Sequence, residues 1–407
     1  MSDLVEALER TRAYANIKAS APTRKATFIG AAQYRRKSYG SNHPLAIPRV
    51  SLTFDLINSY GALMPDEYLV ARKAADFELE WFHTRDYVSA IKRAEPLGRV
   101  DNDIRQRHAL GTLENPYFEG IYTIPCTATG ASIQAAEQVI AGRVAFNPAG
   151  GMHHARPDRA QGFCYFNDPV LAVLRLRKHG WRVMYVDIDA HHGDGVELAF
   201  RDDAQVLTLS LHMDTRYAYP FAGGQVTDAG SQENGHATIN VPLPRGIGDA
   251  AYKQIFDEVF LAALRSFAPD AIVLQAGTDM LFADPLGKFS LSTQAFLDVV
   301  DTVYLHSPTH PDGTPRLLVT GGGGYHPLLL ARAWTGVWAI LSGRRLPDEI
   351  PAEGARVLRE AGWDADDDEP YFARLFELRS DAPVDSRVAV EELDTLRDAL
   401  ADHPFLK

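Results

Sequence analysis

Cysteine is almost absent from this chain: Cys126 and Cys164 are the two among 407 residues. That excludes a disulfide framework, and without a CxxC pair it excludes a thiolate-built structural metal site as well. No apolar run approaches the roughly 18 residues of a membrane-spanning helix, so no span is expected. The opening segment MSDLVEALERTRAYANIKAS has no apolar stretch of the secretory kind, which makes a cytoplasmic protein the expectation. Basic clusters are lacking too. With 41 Lys and Arg against 53 Asp and Glu, the formal net charge is −12, and nothing could track a phosphate backbone, so nucleic acid is a poor ligand. The excess of acid either keeps the chain soluble or steers cationic substrates inward.

What is present is regular. Hydrophobic residues make up 46% and charged residues 23% of the chain, as in ordinary globular domains. Short apolar, β-branched runs recur between amphipathic stretches: TFIGAA (27–32), RVAFNP (143–148), RVMYVDI (182–188), QVLTLSL (205–211), AIVLQAG (271–277) and RLLVTGGGG (316–324). Each reads as a buried strand, and their near-continuous hydrophobicity suits a mainly parallel sheet covered on both faces. NDPVLAVLRLRKHG has helix signals at both ends: a capping Asn167 or Asp168, a first-turn proline, late cations and Gly180. Strand and helix alternate to about residue 345, which predicts one doubly wound α/β domain over 27–346. A helical arm over 1–26, with Leu4, Leu8 and Tyr14 among charges, would suit packing on a second subunit and leaves a homo-oligomer open. The acidic, helical segment 347–407 reads as a peripheral tail.

The chemically unusual residues gather at the carboxyl ends of these runs, where open parallel sheets bind ligands. In YVDIDAHHGDG, residues spaced by two share a strand face, so Asp187, Asp189 and His191 align. Two carboxylates and an imidazole leaving an apolar strand need a cation or hydrogen bonds to offset their desolvation. Zinc, or ferrous iron in its place, suits such donors. Asp279, in VLQAGTDM, meets the requirement for a third ligand from another strand end, although alone it would read as a helix cap. Three protein ligands leave a coordination position open for catalysis. His153 and His154 stand together in GGMHHA, and hydrolysis needs one group to take a proton from water and one to supply a proton to the leaving amine. Asp187 and Asp194 are the carboxylates at hand to fix the imidazoles. Tyr325 follows four glycines in GGGGYH, and its phenol can donate to a developing oxyanion.

The string NPAGGMHHA…GFCYFND…VMYVDIDAHHGDGVELAF…LTLSLH…VLQAGTDM…DPLGKF…LLVTGGGGY, spread over residues 27 to 340, resembles class I histone deacetylases and the bacterial acetoin-utilisation deacetylases. The resemblance implies the arginase/deacetylase fold and a zinc-dependent deacylase acting on an acylated lysine or polyamine. It makes Asp189, His191 and Asp279 the zinc ligands, His153 the base held by Asp187, His154 and Asp194 a second pair, and Tyr325 the oxyanion donor. The inner imidazole would then be His153, and the outer His154 the more readily charged. It further implies a substrate tunnel of Phe163, Gly162 and Tyr219 with Leu286 at the rim. An internal pocket would use Met152, Cys164 and Arg49. A structural potassium site would use Ser210 with carbonyls of Asp187, Asp189, His191 and Leu211. Three departures stand out: Glu114 where an aspartate usually grips the peptide, YAYPFAGG in place of a PGTG-like turn, and His326-Pro327 after Tyr325.

Two other readings compete. A binuclear manganese ureohydrolase would need extra bridging carboxylates, but the positions for them hold Gly193 and Gly277. A non-catalytic acyl-ligand sensor would not need every ligand, both His–Asp pairs and Tyr325 together.

Overall fold

The computed structural model describes residues 19–36, 38–40, 43–231, 235, 237–361, 376–379 and 390–407. Of the helical arm expected over 1–26, residues 19–25 are non-helical chain bonded to the domain through Ala19 N, Ser20 N and Thr23 N, and Ala26 opens the first strand, while residues 1–18 and the tail segments 362–375 and 380–389 lie outside the described residues. Eight strands form one sheet: β1 (Ala26–Gly30), β2 (Tyr68–Val70), β3 (Val144–Asn147), β4 (Val183–Asp187), β5 (Val206–Met213), β6 (Thr238–Leu243), β7 (Ala271–Gln275) and β8 (Leu317–Thr320). Their order is β2-β1-β3-β8-β7-β4-β5-β6, and every neighbouring pair is parallel.

All six apolar runs are strands, and the two further ones are the edges. β2 has three residues and is partly exposed, so it carries no apolar run. β6 contains Pro242, which an edge strand tolerates because one side of its backbone needs no partner.

Side chains alternate between two cores. Met184 and Val186 face the helices Arg49–Ser59, Asp249–Phe267, Thr293–His306 and Pro327–Ser342. Val183 and Tyr185 face Thr123–Ile140, Asp168–Lys178 and Asp194–Phe200. Burying each Val, Leu or Ile contributes roughly 1.5–3 kcal/mol over leaving it exposed, which helps offset the desolvation of polar groups at the strand ends. The Asp168–Lys178 helix is capped by Asn167, whose side chain accepts from Val170 N at 3.2 Å, with Pro169 in the first turn. In the C-terminal helix Val390–Leu400, the residues Leu393, Leu396 and Leu400 join the main core. Among the described residues no helix is long and apolar enough to cross a membrane.

Two features of the sheet place the site. First, β4 runs on outward to β5 while β7 runs the other way to β8, yet β4 and β7 are neighbours. That divergence opens a crevice at their carboxyl ends. Second, the last rung of the sheet is polar on five adjacent strands, with Asn147, Thr320, Gln275, Asp187 and Ser210 in register.

A candidate metal centre beside paired imidazoles

The crevice between β4 and β7 receives Asp189 and His191 from one side and Asp279 from the other. One donor atom from each of the three lies within 4.8 Å of the others. His191 Nδ1 sits 2.9 Å from Asp279 Oδ2 and 3.2 Å from Asp189 Oδ1. The remaining carboxylate oxygens are fixed from behind. Asp189 Oδ2 accepts from Gln275 Nε2 and from Gly323 N, both at 2.7 Å. Asp279 Oδ1 accepts from Ala190 N at 2.9 Å. The glycine run after β8 matters here: a Cβ on Gly323 would lie 2.1 Å from Asp279 Oδ2, so only glycine brings its N–H this close.

Two buried carboxylates facing one imidazole are short of positive charge. Burial and the neighbouring Asp189 push Asp279 up to about 7. Burial disfavours a charged His191, but Asp189 and Asp279 outweigh it and raise the ring to about 10. Among the described residues no Lys or Arg pairs with either carboxylate. Two oxygens and a nitrogen in a buried, anionic cluster fit a divalent zinc-type ion.

His153 and His154 meet next to this cluster, with their Nε2 atoms 3.0 Å apart. His153 Nδ1 donates to Asp187 Oδ2 at 2.8 Å, and His154 Nδ1 donates to Asp194 Oδ1 at 2.8 Å. Each carboxylate is itself held. The Tyr185 hydroxyl donates to Asp187 Oδ2 at 2.7 Å. Gln161 Nε2 donates to Asp194 Oδ2 at 2.6 Å, and Arg156 bonds the same oxygen. Asp168 anchors the loop carrying the imidazoles, accepting from Gly151 N at 3.0 Å and Met152 N at 2.9 Å, while Asn167 Nδ2 donates to the His153 carbonyl at 3.0 Å.

Without a cation at the cluster, the two imidazoles are shifted in the order opposite to the one expected beside zinc. Burial lowers both rings, but Asp187 and Asp189 more than restore His153 and raise it to about 9. His154 falls to about 4, through burial and then repulsion from His153. Its carboxylate is shared with Arg156 and Gln161, whereas His153 also faces Asp189 4.0 Å away. With protein charges alone the inner imidazole is the one shifted up, because it faces two carboxylates while the carboxylate of His154 is shared with Arg156.

Above the imidazoles opens a cavity of about 1280 Å³, lined by Glu114, His154, Gly162, Phe163, His191, Tyr219, Leu286 and Tyr325 among others. Phe163 lies edge-on to Tyr325 with ring centroids 6.1 Å apart, and Tyr219 edge-on to His154 at 4.9 Å. Phe163 has φ 69°, held by Asn115 Oδ1 on its N–H at 3.0 Å and by the Tyr39 hydroxyl on its carbonyl at 2.8 Å. Glu114 stands at the mouth and accepts from Gly162 N at 2.9 Å. The Tyr325 N–H is held by Asp284 Oδ2 at 2.8 Å. His326 caps the following helix, with Pro327 in its first turn, so the His-Pro pair ends the glycine loop firmly. Below the centre, a cavity of about 20 Å³ touches Arg49, Met152 and Cys164, and Arg49 donates to the Gly322 carbonyl at 2.6 Å. Of the residues named for potassium, Asp187 ends β4 opposite Ser210, which with Leu211 lies within β5, and Asp189 and His191 follow in the loop after β4; Ser210 Oγ is 2.8 Å from His212 Nδ1.

Gly193 and Gly277 cannot carry bridging carboxylates in this backbone. A Cβ on Gly193 would lie 2.4 Å from Asp187 Oδ2, and one on Gly277 2.3 Å from Asp189 Oδ2. The sequence passed over Gln275, Tyr185, Arg156 and Gln161, which hold the reactive groups from behind, and offered Asp168 only as a possible helix cap, whereas it anchors the loop of the imidazoles. Gln275, ending an apolar strand, was the one with a visible signal.

A family model described as the histone deacetylase domain matches residues 43–341. The chain is 39% identical over 306 residues to histone deacetylase 8 of Xenopus tropicalis, covering 74% of this chain and 80% of that one. It is 38% identical over 333 residues to type-1 histone deacetylase 1 of Dictyostelium discoideum, covering 81% of this chain but 65% of the relative's length. The crystal structure of a histone deacetylase homologue from Aquifex aeolicus superposes with a TM-score of 0.86 at 39% identity, over 93% of this chain and all of that one. The sheet and its helices are the arginase/deacetylase α/β fold, and the chain belongs to the histone deacetylase family.

Proposed function

We propose that this chain is a zinc-dependent deacylase that hydrolyses the amide of an acylated lysine or an acylated polyamine. The observation that carries the proposal is the meeting, at the floor of one cavity, of the Asp189–His191–Asp279 cluster, two carboxylate-held imidazoles and the Tyr325 ring. When bound by those three residues, zinc supplies Lewis acidity to the acyl carbonyl and acidifies water. Phe163 and Tyr219 line the passage by which an alkyl amine chain reaches the floor. His153 Nε2 takes the proton from the attacking water, with Asp187 stabilising the imidazolium. Acting as base requires a neutral His153, so positive charge at the adjacent cluster must lower it from about 9. The proton that His153 has taken goes on to the departing amine by way of His154, whose Nε2 lies 3.0 Å from His153 Nε2 and whose ring is oriented by Asp194. The Tyr325 hydroxyl stays protonated, its pKa pushed far up by burial and by Asp279, and donates to the developing oxyanion. The missing space at Gly193 and Gly277 supports a single metal over a binuclear ureohydrolase.

The test is turnover of an acetyl-lysine peptide and an acetylated polyamine by zinc-loaded protein, beside Tyr325→Phe. Losing this oxyanion donor should lower kcat by on the order of 10²–10³ with metal content unchanged. A near-wild-type rate would remove Tyr325 from the chemistry, and two bound metals per chain would overturn the mononuclear reading.

A further inference from the structure

The main cavity, at about 1280 Å³, exceeds the roughly 300–1,000 Å³ of typical ligand sites. A methylene chain with its acyl cap would fill only part of it, so the outer part must engage whatever lies beyond the amine. Five charged side chains line that space apart from the imidazoles: Glu114, Asp214, Arg216, Arg245 and Lys288. Three are already engaged. Glu114 accepts from Gly162 N. Asp214 receives Arg216 Nε at 2.8 and 3.0 Å. Arg245 and Lys288 remain, and neither has an ion-pair partner among the described residues; Lys288 Nζ donates only to the Pro285 carbonyl, at 2.7 Å.

These cations belong together. Gly246 N donates to the Lys288 carbonyl at 2.7 Å, so the segments carrying Arg245 and Lys288 run side by side next to Leu286. Two exposed cations at one mouth, neither with an acidic partner among the described residues, favour an anion there. In a chain of net charge −12, this mouth has the locally opposite sign.

We propose that Arg245 and Lys288 bind a carboxylate on the amine side of the substrate. The proposal rests on the deacylase reading and narrows it. It favours an acyl-lysine carrying its own carboxylate or flanked by Asp or Glu, and it disfavours acylated polyamines, whose further ammonium groups would meet like charge. Val226, Pro242 and Leu396 give the same cavity an apolar wall, which suits a carboxylate joined to the amine through an alkyl or peptide spacer.

Binding is measured by fluorescence anisotropy on the zinc-loaded Tyr325→Phe protein. The probes are labelled peptides of equal length whose central acetyl-lysine is flanked by Asp, Ser or Lys. Free Nε-acetyl-lysine and acetylspermidine serve as competitors. The Asp peptide should bind roughly fivefold or more tighter than the Lys peptide at low salt, with the ratio shrinking as salt screens the contact. Arg245→Gln combined with Lys288→Gln should bring the ratio near one at an unchanged melting temperature. If free acetyl-lysine competes as well as the Asp peptide, the carboxylate is the amino acid's own; if it competes poorly, the source is an acidic peptide. Equal affinities for all three peptides together with poor competition by free acetyl-lysine, strongest binding of acetylspermidine, or a preference that survives the double substitution would overturn the assignment. Anisotropy requires no turnover, so wild-type protein that binds the Asp peptide without cleaving it counts against the deacylase reading and for the anion site.

Discussion

The floor of the cavity and its rim are built on different principles. On the floor, every reactive carboxylate or imidazole is fixed by a second group from a strand end or its following loop, as Asp189 is by Gln275 and Gly323. At the rim, Tyr217 and Phe221 are each 69% exposed, and Leu396 reaches in from a helix remote in sequence. The floor is therefore preorganised for one chemistry, while the rim can change its contacts without disturbing that chemistry. Substitutions should accordingly act on metal and turnover at the floor, and on substrate affinity alone at the rim.

The sharpest way to break this contrast is Asp279→Asn. It removes one anionic ligand and should abolish both stoichiometric zinc and nearly all turnover, read by elemental analysis and a deacylation assay; activity retained without metal would end the floor's special status. Next in size is the pH dependence of metal binding. Asp279 holds a proton up to about pH 7, His153 up to about 9 and His191 up to about 10. Bound zinc displaces the proton on His191 Nδ1 and disfavours the one on His153, so affinity must rise with pH below 9. The expected slope is about tenfold per pH unit for each proton released, measured by competition with a chelator at pH 6.5 and 8.0; a flat profile would contradict the charge balance described above. Gln275→Ala, which frees Asp189 Oδ2 from one of its two anchors, should weaken zinc binding by roughly 10- to 100-fold. The smallest effect belongs to the rim. Phe221→Ala should leave kcat, metal content and melting temperature unchanged, since exposed substitutions usually stay within about 0.5 kcal/mol, and alter KM for peptides only. A drop in kcat from Phe221→Ala would show that rim and floor are coupled.

What the sequence made legible follows the same division. The six interior strands and their carboxyl-end residues could be read because each depends on an apolar run or on residues a few positions apart, whereas the pairing of His153 with Asp187 and of His154 with Asp194, across 34 and 40 residues, came from the resemblance. The edges β2 and β6 could not: a three-residue strand and one interrupted by Pro242 leave no such pattern. Leu396 at the cavity wall was also hidden, because a tail helix reads the same whether it lies on the surface or docks. The charge order of the imidazoles in the absence of a cation was hidden for a related reason. It turns on Arg156 and Asp189, whose distances to the rings exist only after the loops have folded.

Gly193 and Gly277 carry one further consequence. Each stands where an added side chain would strike a carboxylate that the centre requires, at 2.4 Å from Asp187 and 2.3 Å from Asp189. On the proposed mononuclear reading, the number of metals would be set by the separation of β4, its following loop and β7, as well as by the choice of ligands. A route from this centre to a two-metal one cannot pass through single replacements at these positions, because the first would dislodge a group the existing centre still needs. The backbone would have to widen before any new carboxylate could arrive, so within this fold metal count behaves as a property of the scaffold.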